Sequence, residues 1–185
     1  MSTLVRCKAC GYVLKESSLG EVCPACGYKR RVFEPYEDPV SPRRRFLLDL
    51  DAHPILVHFP QAFVSILPPL VLLNWVFPDF FGQELAAVIA FCALVLPLLV
   101  AGALASGLFD AKLKFKRLSP PLLRRKIAVG GMLLILSTAG ALLVGLQGYH
   151  AGTRLYLLLL AGGMLVCAVL LGMMGKRLLP AILRG

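Results

Sequence analysis

Two Cys-x-x-Cys pairs, Cys7-Lys8-Ala9-Cys10 and Cys23-Pro24-Ala25-Cys26, stand twelve residues apart in the first part of the sequence. Four thiolates at this spacing can surround one tetrahedral metal ion, each short loop supplying two sulfurs while its backbone amides point at them. Gly11 and Gly27 directly follow the pairs, where glycine permits the sharp knuckle that such loops need. Tetrathiolate coordination suits structural zinc and a single redox-active iron alike, so spacing leaves both open. A second set of residues able to do chemistry lies further on: His53 and His58 in HPILVHFPQAF, and Asp110 in GLFDAKL.

The elements that must position these residues are mostly apolar. The 185-residue chain is 58% hydrophobic with a mean hydropathy of +0.77, outside the usual range of soluble domains. Residues 54–77, 85–109, 127–148 and 155–175 each offer the ~20 apolar residues that cross a bilayer. None of the four contains Lys, Arg, Asp or Glu. The first 45 residues are polar and Cys-rich, with no apolar run to serve as a secretory signal, so a soluble module is expected ahead of the membrane module.

Basic residues set the orientation, because Lys and Arg accumulate on the cytoplasmic side. Arg43 to Arg45 precede the first span, Lys112, Lys114, Lys116, Arg117, Arg124, Arg125 and Lys126 separate the second from the third, and Lys176, Arg177 and Arg184 follow the fourth. The opposite side has Arg154 alone. This pattern predicts a multi-pass protein of the inner (cytoplasmic) membrane with both termini in the cytoplasm. Topology and anionic headgroups then account for the net charge of +10 without a nucleic-acid partner.

In a reducing compartment four cysteines are far more often metal ligands than disulfides. A domain of about forty residues cannot bury enough apolar surface to fold unaided, so the metal is expected to supply much of its stability. The predicted organisation is a four-cysteine metal domain over residues 1–38, a Pro- and Arg-rich linker over 39–52 and a four-helix transmembrane domain over 53–185. Pro39 and Pro42 keep the linker extended, Arg43 to Arg45 rest on the headgroups, and Phe46 to Asp51 form a short interfacial helix or a lead-in turn.

His53 falls at the membrane interface and His58 about one turn inside, where an ionisable side chain is costly and marks a candidate site. Five residues apart, they lie about 140° round a regular helix and do not share a face. Pro60 frees the Leu56 carbonyl, and the Pro68-Pro69 pair is expected to kink the helix. Asp110, Lys126, Met132, Met173 and Met174 fall at the same cytoplasmic level. Three uses of this level stand open. The first is a b-type haem held by His58 and by Met132, Met173 or a histidine from a second copy of the chain in a homo-oligomer. The second is a quinone-like acceptor, with His58 and Asp110 handling protons beside Gln61. The third is helix packing, with His53 capping the first helix and His58, Gln61 and Asp110 bonding between helices. His150, with Gln147 and Tyr149, belongs to the far side as a solvated interface residue. The many glycines, from Gly102 to Gly172, read as close-packing positions, and Cys92 and Cys167 as small apolar residues. No Gly-rich phosphate loop, serine triad spacing or paired intramembrane carboxylates point to a hydrolase or a transporter.

CKACGYVLKE followed by EVCPACGYKRRVFEP resembles the rubredoxin-type domain of rubrerythrins over about residues 4–37. The resemblance implies a rubredoxin-like fold with one iron held by Cys7, Cys10, Cys23 and Cys26, passing single electrons between redox partner proteins, an electron carrier rather than a catalyst. It also implies a small aromatic core of Tyr12, Phe33 and Tyr36. Val5 stands where that family usually has an aromatic residue, and the domain has no Trp. Zinc ribbons use similar Cys-Pro-x-Cys-Gly knuckles, which keeps a structural zinc site and a scaffold or sensor role open. The membrane half resembles a family of small bacterial four-helix membrane proteins that open with His-Pro-x-x-Val-His-Phe-Pro, here His53 to Pro60, and carry Gly-x-x-Asp at the end of the second helix, here Gly107 to Asp110. That resemblance implies an all-α four-helix bundle and no particular activity.

Overall fold

A computed structural model describes residues 4–37, 41, 46–47, 50, 52–115 and 120–178. Two compact units divide between Arg45 and Phe46, inside the Pro- and Arg-rich stretch. Arg43 to Arg45, most of the 39–52 linker with the helix expected at its end, and Lys116, Arg117 and Arg184 lie outside the described residues.

The first unit is a three-stranded antiparallel sheet in the order β2-β1-β3, with β1 at Leu4–Cys7, β2 at Val13–Lys15 and β3 at Phe33–Tyr36. β1 alternates inward and outward, so Val5 and Cys7 are buried while Leu4 and Arg6 face the other way. Arg6 stands opposite Glu34 in the β1–β3 register, and its guanidinium reaches the Glu34 carboxylate at 2.7 Å. That hydrogen bond, helped by the nearby Lys8 charge, holds Glu34 below the usual carboxylate range. Among the described residues of this unit only Val5, Cys7, Leu19 and Cys23 are buried hydrophobics. Half of that core is sulfur, and the aromatic core differs from expectation. Phe33 and Tyr36 are half-buried, but the Tyr12 ring is exposed, because Tyr12 serves the fold through its carbonyl rather than its side chain.

The second unit is a bundle of four helices: α1 at Ala52–Val76, α2 at Gly82–Phe115, α3 at Pro121–Gln147 and α4 at Ala151–Leu178. Each packs on the next, and α1 closes the bundle against α4. All four are long and apolar enough to cross a membrane. The buried positions recur every three or four residues: Pro60, Val64, Leu67, Pro68, Val71 and Asn74 on α1, and Gly130, Leu133, Ser137, Gly140 and Val144 on α3. The outer face is equally apolar, with Leu98 75% and Leu146 81% exposed, which suits lipid rather than water. α1 runs unbroken through Pro60, Pro68 and Pro69.

Three helices, α2, α3 and α4, exceed their apolar spans. α2 has 34 residues, about 51 Å at 1.5 Å per residue, against a hydrocarbon core of about 30 Å. It carries Asp110 and Lys112 within the helix, and α3 begins with Arg124, Arg125 and Lys126 already helical. Hydropathy marks where apolarity stops, whereas Lys and Arg are good helix formers and extend the helix beyond that point. Small residues permit close approach at particular places only. A Cβ at Gly130 would come within 2.9 Å of Leu104, and one at Gly163 within 3.3 Å of Leu136, while Gly102, Gly131, Gly162 and Gly172 face open space.

At the α1–α2 and α3–α4 turns a polar chain ties the elements together. The Tyr149 hydroxyl donates to Asn74 Oδ1 at 3.2 Å, and Asn74 Nδ2 donates to the Gly82 carbonyl at 3.1 Å. Asn74 is 1% exposed, so each broken bond would leave a polar group without water to replace it. An Asn74→Ala variant is expected to lose about 1–3 kcal/mol. Thermal unfolding in detergent, followed by the helical circular dichroism signal, would show this as a lowered midpoint.

Candidate metal centre

The same pair of backbone hydrogen bonds builds each knuckle. The Cys7 N–H donates to the Tyr12 carbonyl at 2.9 Å and the Gly11 N–H to the Cys7 carbonyl at 2.8 Å. In the second, the Cys23 N–H donates to the Tyr28 carbonyl at 2.7 Å and the Gly27 N–H to the Cys23 carbonyl at 2.9 Å. Gly11 and Gly27 have φ of 77° and 73°, and a Cβ at either would meet nothing within 4 Å. Glycine is therefore needed for the backbone angle and not for space.

These knuckles bring the four sulfurs together. Cys7 Sγ lies 3.7 Å from Cys26 Sγ and Cys10 Sγ 3.8 Å from Cys23 Sγ, and all four fall within 4.8 Å of one another. A tetrahedron of sulfurs about 2.3 Å from a metal has edges of about 3.8 Å, so the donor set fits such an ion, iron or zinc. Cys7 and Cys23 are buried, whereas Cys10 and Cys26 open to the surface.

Electrostatics within the cluster favour a cation. Burial opposes ionisation of Cys23, but the N–H groups of Cys26 and Ala25 and the thiols of Cys26 and Cys10 outweigh it and bring Cys23 down to about 7. Cys26 moves the opposite way. The Tyr28 N–H supports its thiolate, yet burial and the crowding of Cys10, Cys23 and Cys7 push it up to about 12. Cys10 is also raised, the Tyr12 N–H being outweighed by burial and by Cys7 and Cys23. Without a cation, Cys10 and Cys26 therefore favour their protonated forms.

The bundle residues singled out by sequence do not gather into one cluster. His53 packs on α2, its Nδ1 lying 3.2 Å from Ser106 Oγ. Ser106 donates its own proton to the Ala103 carbonyl at 2.9 Å, so the proton between the two side chains belongs to His53 Nδ1. The imidazole lies against Gly107, where a Cβ would sit 2.9 Å from Cε1. The His-Pro motif of α1 thus meets the Gly-x-x-Asp motif of α2, with half-buried Asp110 one turn further along. His58 is exposed on another face of α1 and bonds through Nδ1 to the Pro54 carbonyl of its own helix. Gln61, Met132 and Met173 are exposed as well. Sequence reading missed Ser106 and the Asn74–Tyr149 pair. Asn74, an amide near the end of an apolar span, was the available signal, whereas nothing in the sequence links Ser106 to a residue 53 positions away.

Residues 6–34 match the family described as the rubrerythrin rubredoxin-like domain, a segment that contains all four cysteines and ends before the helices. No curated protein and no solved structure matches the chain. The first unit is accordingly a rubredoxin-like domain with a four-cysteine metal site, followed by four helices able to span a membrane.

Two outcomes follow from this geometry. Gly11→Ala should weaken metal retention by about 1–2 kcal/mol through backbone strain alone, measured by competition with a chelator. Because Cys26 and Cys10 hold their protons at pH 7 in the metal-free site, loading should release roughly two protons or more per ion. Calorimetric titrations in buffers of different ionisation enthalpy would count them, and affinity should fall as pH is lowered.

Proposed function

We propose that this chain is a membrane-anchored electron carrier, with one iron held by Cys7, Cys10, Cys23 and Cys26 on the cytoplasmic side. The observation that carries this reading is the asymmetry of the site: two ligand sulfurs are buried and two, Cys10 and Cys26, reach the surface. A purely structural ion gains nothing from an open edge, whereas a carrier needs a short path to its partner. Iron in a tetrathiolate site supplies one-electron ferric/ferrous chemistry. The protein's part is to present sulfurs at tetrahedral spacing, to aim backbone N–H groups at them, and to keep two of them at the surface where a donor or acceptor can approach.

The helices serve this role as an anchor. Basic residues at the ends of α2 and α3 support placing that end, and both termini, in the cytoplasm. Confinement to the membrane surface raises the effective concentration of the metal domain near membrane-bound redox partners. A haem or quinone at the His53–His58 end is a candidate acceptor, with exposed His58 at the bundle surface as the haem ligand.

Anaerobic purification in detergent, with iron, zinc and haem determined per chain and visible spectra taken before and after reduction, tests the reading. About one non-haem iron per chain that bleaches reversibly is expected, and Cys10→Ser should abolish the colour change. Zinc alone, from cells supplied with ample iron, would replace the carrier with a zinc-ribbon scaffold. Stoichiometric haem that survives His58→Ala would exclude that ligand.

A further inference from the structure

The edge of the metal domain that carries Cys10 and Cys26 is composed unlike the rest of the unit. Ala9, Tyr12, Pro24, Ala25 and Tyr28 flank the two sulfurs in sequence, and all are exposed. Tyr12 and Tyr28 hold the same place in the two knuckles. Each gives its carbonyl to a cysteine N–H and leaves its ring in solvent, Tyr28 to 59%. In a unit with so small an apolar core, two rings left outside need another surface to cover them, and tyrosine is enriched at the centres of protein interfaces.

The charges around these rings have one sign. Lys8 lies inside the first knuckle, Lys29 directly follows the second, and Arg31 precedes Val32, whose carbonyl accepts the Lys8 N–H at 3.0 Å. All three are exposed, and residues 7–15 and 22–33 contain no Asp or Glu. Of the bordering carboxylates, Glu34 is engaged by Arg6 at 2.7 Å and Lys8 at 3.6 Å, and Glu16 and Glu21 stand at the margin.

We propose that this edge is the docking surface for an acidic protein, with Tyr12 and Tyr28 at its centre and Lys8, Lys29 and Arg31 at its rim. The inference deepens the electron-carrier reading and rests on it for its purpose, since the exposed sulfurs lie where an electron would cross. A patch this small matches transient redox complexes, which bury less than about 1,200 Å². An anionic bilayer shares the charge of such a partner, but lipid-inserting surfaces carry Trp, Phe or Leu, and the exposed residues flanking the two sulfurs, Ala9, Tyr12, Pro24, Ala25 and Tyr28, include none of these, so a protein fits better.

The full chain in nanodiscs of zwitterionic lipid, titrated with a small acidic flavin carrier and with a basic c-type cytochrome at several salt concentrations, provides the test. The acidic carrier should bind and the basic one should not. Affinity should fall with salt, and Lys29→Glu combined with Arg31→Glu should weaken it by roughly tenfold or more with metal content unchanged. Tyr28→Ser should weaken binding at every salt concentration. Failure of the acidic carrier to bind, or binding indifferent to these variants, would overturn the proposal. So would hydrogen-exchange protection of residues 22–29 gained in anionic nanodiscs together with loss of carrier binding, which would assign the edge to lipid. Binding measured on zinc-loaded protein separates the two readings: a redox-silent chain that still binds the acidic carrier keeps the surface and removes the electron transfer, and an iron centre that cycles without binding does the reverse.

Discussion

Four thiols within 4.8 Å of one another are the constraint on which the metal domain depends. Their mutual repulsion forbids four thiolates without a cation, and their burial leaves Val5 and Leu19 as the only other buried hydrophobics described in the unit. One ion resolves both difficulties. It neutralises the sulfurs, and it crosslinks two knuckles that lie on different parts of a short chain. The sheet contributes by fixing where the first knuckle starts: Cys7 is the last residue of β1 and pairs with Phe33 on β3. The cross-strand Arg6–Glu34 pair sits on an exposed face and adds register more than stability.

The bundle obeys a different logic, because lipid tails are as apolar as its interior and helices gain little by hiding leucines from them. Specificity then comes from shape and from a few polar bonds. His53 lying on Gly107 sets the α1–α2 approach at one end, and the Tyr149–Asn74–Gly82 chain ties the turns at the other. Gly130 admits the Leu104 side chain between these two ends. Such point contacts fix a register that a uniform apolar stripe would leave free to slide.

The cysteine site was legible because ligand spacing is local: each knuckle forms from six consecutive residues and repeats the pattern Cys-x-Ala-Cys-Gly-Tyr. The spans were legible from length and composition. The facing of each helix was not, since residues turned to lipid and residues turned inward are both apolar and no amphipathic period stands out. Helix ends were also hidden, as Asp110, Lys112 and Arg124 to Lys126 look like loop residues yet continue α2 and α3. The direction of His58 depends on which face of α1 the neighbouring helices cover, which is a tertiary fact. Tyr12 was assigned to the core by family likeness and stands in solvent, its backbone doing the structural work.

A domain whose core is half cysteine has a folding equilibrium tied to free metal, because any ion that binds only the folded form stabilises it by mass action. Metal scarcity would then leave a frayed polypeptide attached to an intact helical bundle. Unfolded segments are what cellular proteases cut, so the lifetime of the protein, and not only its activity, would follow the metal supply of the cell. With two of its four buried hydrophobic residues serving as metal ligands, the domain would keep its fold only while the ion is in place.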